Sequence, residues 1–344
     1  RPEVLKHPPY WVTSPQCRIK LNQNESPWDL PPDIKGEIVR RMEQLTWNRY
    51  PELIPKAVRS KLAKVLNVNS DCIIVGKGSN EILESIYNVT LDLSEKICTL
   101  SPTFSVYGLL AQMRNSAVVT SPLDQNFRVN EEDLLDKCRE AKLTVIGNPD
   151  SPSGARVSPE MLSKMVQTTD GILVVDEAYV QFSGVTALPL LKQYPNLIIT
   201  RTYSKAFSLA GFRIGYGVMH PAMAREVQKG LLPYNFDMPS VVAMDVLLEN
   251  LDFIDRRARK IVAERGRMME KLNRIEGVKA WPSHANFFLL ETPLGGMETF
   301  QVLVRRDILV RNVCEYPGCE NVVRVTVGMP EENEALCRAI KEIL

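Results

Sequence analysis

The chain has 344 residues, of which 44% are hydrophobic and 24% are charged. This composition is typical of a globular protein of about two domains at roughly 150 residues each, and it excludes disordered, collagen-like and coiled-coil chains. The 42 Lys and Arg residues nearly balance the 41 Asp and Glu residues, so the net charge provides no overall attraction to nucleic acid or an anionic membrane.

Short apolar runs alternate with longer amphipathic stretches from residue 72 to about residue 220. This pattern predicts a parallel sheet covered by helices. Runs that are apolar at every position, such as 172–175, are typical of strands buried on both faces. The predicted strands are residues 72–75, 96–100, 117–120, 143–147, 172–176, 197–201 and 214–219. Residues 36–240 are therefore expected to form a large α/β domain with a mostly parallel, doubly wound sheet.

The two ends of the chain follow other patterns. Residues 1–35 are rich in proline and irregular, and they predict an arm that packs across another surface. After Pro239, apolar residues at helical spacing predict one long helix over 241–275 that links two lobes. Strands are predicted at 286–290, 308–313 and 322–327. Residues 241–344 are expected to form a smaller α/β domain.

The cysteine and histidine residues predict neither disulfides nor a metal site. The seven cysteines are scattered without a CxxC pair, and the three histidines are far apart. No stretch approaches the roughly 20 apolar residues that span a bilayer, and the first segment lacks the apolar centre of a signal peptide. We expect a soluble cytoplasmic protein with reduced thiols.

Two residues at predicted strand ends are candidates for catalysis. Lys205 follows strand 197–201, at the carboxyl edge where open α/β sheets bind ligands, and a lysine there is suited to Schiff-base chemistry. A solvated surface lysine is the alternative. Asp176 ends strand 172–176, and a buried acid needs a partner, for which a protonated pyridine nitrogen is suitable.

A glycine-containing loop, residues 76–81, joins the strand 72–75 to a predicted helix. Its glycines allow a phosphate to approach the backbone, and the helix amino terminus offers unpaired N–H groups. The loop matches neither the dinucleotide pattern GxGxxG nor the P-loop. A simple capped turn is the alternative.

Further motifs follow in chain order over nearly the whole sequence. They are LNQNESP at 21–27, RYP at 49–51, GKGSNE at 76–81, PTFSVY at 102–107, NPDSPSG at 148–154, DEAY at 176–179, SKAF at 204–207, and Arg324. This series resembles the fold type I pyridoxal-phosphate (PLP) aminotransferases, and most closely the histidinol-phosphate aminotransferase family. Lys77, Asn80, Asp150, Ser151 and Ser153 depart from the residues that the family more often has.

The resemblance implies a role at the PLP ring for five residues. Lys205 binds the cofactor covalently and moves the substrate proton, and Asp176 keeps the pyridine nitrogen protonated. Asn148 and Tyr179 form hydrogen bonds to the phenolic oxygen. Tyr107 stacks on the ring. Taken singly, the tyrosines would be ordinary core aromatics.

The resemblance also implies how the phosphate of the cofactor is bound. The donors are backbone and side-chain groups of Gly78, Ser79, Asn80, Thr202, Ser204 and Arg213. Tyr50 reaches the cofactor phosphate of the neighbouring subunit, so a homodimer with shared active sites is implied.

The implied activity is amino transfer between L-histidinol phosphate and 2-oxoglutarate in histidine biosynthesis. Arg324 matches the arginine that binds substrate carboxylates in the family. Histidinol phosphate has no α-carboxylate, so its phosphate is expected at Arg324 with help from Arg311 and Tyr10. Asn24 completes the implied substrate contacts, and the arm 1–35 contributes to the small domain and the active site. A solvated strand-end charge is the alternative for Arg311.

Other functions remain open at this point. A threonine-phosphate decarboxylase-like enzyme, or another amino acid or aromatic aminotransferase, shares most of these motifs. A non-catalytic regulator that binds PLP as a signal would need a DNA-binding module, and residues 1–35 are too short and proline-rich to form one.

Overall fold

The computed structural model describes Leu5 and residues 15–344. The strands of this part of the chain form two sheets, one of seven strands and one of five. In chain order the strands are β1 (Ile19–Leu21), β2 (Ile73–Lys77), β3 (Lys96–Ser101), β4 (Ala117–Pro122), β5 (Leu143–Gly147), β6 (Ile172–Asp176), β7 (Leu197–Thr202), β8 (Ile214–Met219), β9 (Lys279–Ala280), β10 (Phe287–Glu291), β11 (Ile308–Asn312) and β12 (Val322–Thr326).

The seven-stranded sheet has the order β2-β8-β7-β6-β5-β3-β4. Strands β3 to β7 pair in parallel with β4 at the edge, and β8 runs antiparallel to both of its neighbours. Every residue of β5, β7 and β8 is buried, because helices cover both faces. The prediction of an α/β fold with a mostly parallel sheet is confirmed, and each predicted run in this region overlaps one strand.

Helices connect the strands and cover the sheets. In chain order they are α1 (Pro32–Glu43), α2 (Lys56–Leu66), α3 (Ser79–Thr90), α4 (Ser105–Gln112), α5 (Glu131–Glu140), α6 (Pro159–Thr168), α7 (Val180–Ser183), α8 (Pro221–Lys229), α9 (Met238–Leu248), α10 (Asp252–Leu272), α11 (Gly296–Arg305) and α12 (Pro330–Ile343). Among the described residues, each helix is either too short or too polar to cross a membrane.

The prediction of one helix over residues 241–275 is wrong, because the chain breaks between α9 and α10. The Asn250 side chain donates a hydrogen bond of 2.8 Å to the Val246 carbonyl. An asparagine that binds a nearby carbonyl in this way competes with the helical backbone bond. Helix α9 also buries residues around most of its circumference, whereas α10 buries a single stripe, so the two helices have different surroundings.

The five-stranded sheet has the order β1-β11-β12-β10-β9. Its pairs are antiparallel except for β1, which lies parallel to β11 at one edge. The expected irregular arm thus contains a strand, with Leu21 opposite Val310. Helix α1 begins eleven residues after the end of β1. The boundaries 1–35, 36–240 and 241–344 stay a prediction.

Candidate active site

Lys205 lies just beyond the carboxyl end of β7. Its Nζ donates a hydrogen bond of 2.9 Å to the Gln23 carbonyl of the arm and is 5.8 Å from the centroid of the Tyr179 ring. Burial, followed by the positive charges of Arg324 and Arg213, lowers the pKa of Lys205 to about 8. More of the amine is therefore neutral near neutral pH than for an exposed lysine, which favours a role as proton acceptor or nucleophile.

Asp176 ends β6, and only 4% of it is exposed. The Tyr107 hydroxyl donates a hydrogen bond of 2.9 Å to Asp176 Oδ2. Oδ1 is buried and accepts no well-aligned hydrogen bond from the described residues, although the nearby Thr200 hydroxyl stabilises the charge. Burial raises the pKa of Asp176 to about 6, against the lowering effect of the two hydroxyls. The carboxylate thus has one oxygen available for a further donor.

These two residues share a cavity of about 150 Å³ at the carboxyl edge of the larger sheet. The parallel strands bring their ends together here, as expected for open α/β sheets. The lining residues are Ser79, Asn80, Phe104, Tyr107, Gly147, Pro149, Ser151, Asp176, Ala178, Tyr179, Thr202, Ser204, Lys205 and Arg213. Nine of the residues predicted from the sequence are in this set, although the sequence positions extend from 79 to 213.

One end of the cavity is rich in hydrogen-bond donors. Gly78 has a φ of +80° and precedes α3, and a Cβ at this position would come within 2.7 Å of Arg213 Nη2. A side chain there would displace the guanidinium, so the close approach requires glycine. Arg213 Nη1 donates to Ser204 Oγ at 3.0 Å, and the hydroxyls of Thr202 and Ser204 are also 3.0 Å apart.

The prediction for Asn148 is corrected by the structure. Asn148 does not line the cavity, and its side chain binds Val157 instead: Oδ1 accepts a bond of 2.9 Å from the Val157 N–H and Nδ2 donates to the Val157 carbonyl. Ser151, three residues further on, lines the cavity instead and accepts a bond of 2.9 Å from Arg324 Nη1. The loop 148–154 turns sharply, so spacing within the motif did not reveal which residue faces inward.

The arm contacts two residues of the cavity, Tyr179 and Lys205. Asn24 is buried, and its Nδ2 donates a hydrogen bond of 3.0 Å to the Tyr179 hydroxyl. The Thr326 hydroxyl donates to Asn24 Oδ1, also at 3.0 Å. Asn24 thereby connects the β6 end to strand β12. The Gln23 carbonyl that accepts from Lys205 was not predicted, because a backbone contact has no signature in the sequence.

The smaller sheet carries two arginines on one face, and one of them, Arg324, contacts the cavity residue Ser151. Arg324 on β12 donates to Ser151 and, at 2.8 Å, to the Asn22 carbonyl. Arg311 on β11 is its direct cross-strand partner, so the two side chains lie on the same face. Tyr10, the third predicted contact of the substrate phosphate, lies outside the described residues.

Tyr50 is not part of the cavity. It is 80% exposed, and its ring stacks on that of Tyr234 with centroids 4.6 Å apart. The structure therefore does not bring Tyr50 to the site of its own chain.

Comparisons with known proteins agree with this geometry. The model of the family "Aminotransferase class I and II" matches residues 18–340. A histidinol-phosphate aminotransferase of Chlorobaculum tepidum is 34% identical over 331 residues, which is 95% of each chain. The crystal structure of the enzyme of that name from Clostridium acetobutylicum superposes with a TM-score of 0.87 at 26% identity, covering 94% of this chain and 98% of that one.

A second solved structure contains the cofactor. It is the histidinol-phosphate aminotransferase of Sinorhizobium meliloti in complex with pyridoxal-5′-phosphate, which has a TM-score of 0.85 at 25% identity and covers 95% of this chain and 91% of that one. The matched family depends on PLP. The chain thus belongs to the class I and II aminotransferases, PLP-dependent enzymes of fold type I, and within them to the histidinol-phosphate aminotransferase family.

Proposed function

We propose that this enzyme transfers an amino group between L-histidinol phosphate and 2-oxoglutarate in histidine biosynthesis. The relatives that carry this activity in their names match over nearly the full chain. The observation that carries the proposal is the pairing of Arg311 with Arg324, which contacts the cavity residue Ser151. Like charges directly opposite on two strands are destabilising. A doubly charged phosphate would offset this repulsion.

The described residues fit PLP at two points. Asp176 Oδ1 is a buried acceptor with room for a donor, which suits a protonated pyridine nitrogen. Arg213, Ser204, Thr202 and the amino terminus of α3 suit a phosphate dianion, since they combine one fixed cation with neutral donors. When bound, PLP supplies a ring that accepts the electron pair released as the substrate C–H bond breaks.

The protein residues then perform the proton chemistry and the orientation. Lys205 Nζ, with its lowered pKa, would accept the proton of the substrate carbon and donate it to the cofactor carbon that takes the amino group. Asp176 keeps the ring nitrogen protonated, because a buried carboxylate strongly favours a positive partner. We assign contact with the phenolic oxygen to Tyr179 and Ser151, both of which line the cavity. Tyr107 is assigned to the ring face.

The substrates would be distinguished by the smaller sheet. Arg324 is near enough to lower the pKa of Lys205, so an anionic group bound to it would be held close to the reacting carbon. With Arg311 on the same face, the site suits the phosphate of histidinol phosphate and also accepts the carboxylates of glutamate. Asn24 would orient both through its contact with Tyr179.

The proposal includes a homodimer in the cytoplasm. Trp47, Tyr50 and Leu53 are all more than half exposed along one segment, which suits burial against a second copy. Tyr50 would then reach the cofactor phosphate of the neighbouring subunit. The seven free cysteines are compatible with a reducing compartment.

The test is a pair of half-reactions followed by absorbance of the bound cofactor. Glutamate and L-histidinol phosphate should each convert the PLP form to the amine form, and 2-oxoglutarate should restore it. K205A is the negative control. Conversion by glutamate but not by histidinol phosphate would contradict the substrate, and release of carbon dioxide from threonine phosphate would favour a decarboxylase.

A further inference from the structure

A second buried carboxyl group, that of Asp150, lies beside Asp176 and has no part in the mechanism above. Asp150 is fully buried. A Cβ on Gly147 would be only 2.5 Å from Asp150 Oδ1, and Gly147 is the cross-strand partner of Asp176. Side chains at paired positions of parallel strands share one face. The Asp150 carboxyl group therefore occupies the space that a side chain at position 147 would fill, next to the carboxyl group of Asp176.

Both carboxyl groups are bound by the same short segment. The Thr103 hydroxyl donates a hydrogen bond of 2.7 Å to Asp150 Oδ1, and the Tyr107 hydroxyl donates one of 2.9 Å to Asp176 Oδ2. Thr103 precedes α4 and Tyr107 lies in its first turn. The start of α4 is thus attached to the sheet at two points, one for each acid.

Asp150 and Asp176 differ in the groups that donate hydrogen bonds to their carboxyl oxygens. Asp176 is stabilised by the hydroxyls of Tyr107 and Thr200 and by the Ala178 N–H. Asp150 has the Thr103 hydroxyl and the Ser151 N–H, and its Oδ2 has no hydrogen-bond partner among the described residues. Burial raises the pKa of Asp150 well above its usual range, and the charge of Asp176 raises it further. Two adjacent buried carboxyls do not both ionise, so Asp176 holds the charge and Asp150 the proton.

Of these two attachments, only the one at Asp176 involves the cofactor site. The pyridine nitrogen would take Asp176 Oδ1 while the Tyr107 hydroxyl keeps its bond to Oδ2, so a displaced Tyr107 would disturb the carboxylate that binds the cofactor. The bond from Thr103 to Asp150 is independent of the cofactor, since Asp150 does not line the cavity. It therefore holds the start of α4 whether or not the cofactor is bound.

We propose that Asp150 is a positioning residue, which as a neutral acid holds Thr103 and so keeps Tyr107 in place when the cofactor binds to Asp176. The proposal rests on the cofactor-binding part of the proposed function and not on the identity of the substrate. Asp150 itself touches neither cofactor nor substrate.

The experiment compares T103V, T103S and D150N with the wild type. PLP affinity is measured by titrating the cofactor-free protein, the visible circular dichroism of bound PLP reports ring orientation, and thermal unfolding is followed with and without PLP. T103V should weaken PLP binding roughly three- to tenfold, as expected for one lost hydrogen bond, and reduce the dichroic signal. T103S retains the hydroxyl and D150N retains the acceptor oxygen without charge, so both should stay within about twofold of the wild type.

Unfolding separates positioning from a general loss of stability. T103V should lower the unfolding temperature more with PLP than without it, and an equal loss in both forms would overturn the proposal. A T103V protein with the PLP affinity and dichroism of T103S would also overturn it. A D150N protein as defective as T103V would show that an ionised carboxylate is needed. The infrared carbonyl band of a protonated acid, present in the wild type and lost in D150N, is the expected direct sign of the neutral form.

These outcomes are independent of the substrate assignment. A wild-type protein that binds PLP and reacts with glutamate, yet leaves histidinol phosphate unchanged, would refute the proposed substrate. The comparison of the Thr103 and Asp150 variants would remain valid in that case.

Discussion

The two sheets contribute to the active site in different ways. The seven-stranded sheet provides residues at the carboxyl ends of its strands, where Asp176 ends β6 and Lys205 follows β7. The five-stranded sheet contributes from the middle of its strands, through the faces that carry Arg311 and Arg324. In our proposal the first sheet holds the cofactor and the second selects the substrate. Variants of the first should therefore stop all chemistry, and variants of the second should change which substrate reacts.

The largest effect is expected from Lys205→Ala. Loss of both the covalent attachment and the proton carrier should slow both half-reactions by at least about ten-thousandfold. Borohydride reduction of the wild type, followed by peptide mapping, should place the pyridoxyl group on Lys205. Lys142 is an exposed lysine at the opposite edge of the sheet, just before β5, so Lys142→Ala is the matched control. A label recovered on another lysine would refute the assignment.

The second-largest loss of activity is expected from Asp176→Asn, which should still bind PLP measurably. An amide cannot stabilise a positive ring nitrogen, and a loss of roughly 4 kcal/mol in the transition state corresponds to about a thousandfold in rate. Single-turnover rates with glutamate and with histidinol phosphate should fall equally. Asp136→Asn, an exposed acid paired with Arg139 on α5, should leave both rates unchanged. Near-normal turnover of Asp176→Asn would place the partner of the nitrogen elsewhere.

Variants of the five-stranded sheet should affect one substrate more than the other. Arg311→Ala should impair histidinol phosphate more than glutamate, by roughly 1–3 kcal/mol for a lost hydrogen bond to a charged group. Arg324→Ala should weaken both substrates, because it also loses its contact with Ser151. The values of kcat/KM for each half-reaction decide the point, with Arg139→Ala as the surface control. Equal losses for both substrates in Arg311→Ala would remove the distinction between the sheets.

The smallest effect concerns the boundary between subunits. A purified heterodimer with Tyr50→Phe in one subunit and Lys205→Ala in the other should keep about half of wild-type activity, because one site carries both defects and the other neither. The Tyr50→Phe homodimer, if clearly impaired, is the reference. Activity no better than half of that reference would place Tyr50 in the site of its own chain.

The sequence predicted the position of a residue at the cavity where that residue lies at or just beyond a strand end. Asp176 ends one buried strand and Lys205 lies three residues beyond another, and parallel strands place their ends at one edge of a sheet whatever the loops do. The same reasoning placed residues 79 and 80 at the start of α3. It failed inside the loop 148–154, where Ser151 rather than Asn148 lines the cavity. The side chains of an irregular turn do not alternate at a fixed spacing, so the sequence does not indicate which of them faces inward.

The sequence by itself thus determined the alternating strands and helices, the family, and the acid and lysine of the site, since each depends on local patterns or ordered motifs. The tertiary structure decided the rest. It paired Ile19 with Ile308 and Arg311 with Arg324, broke the long helix at Asn250, and placed Asp150 over Gly147 beside Asp176. These contacts join residues by packing and hydrogen bonding across long separations or irregular turns, so neither composition nor periodicity records them.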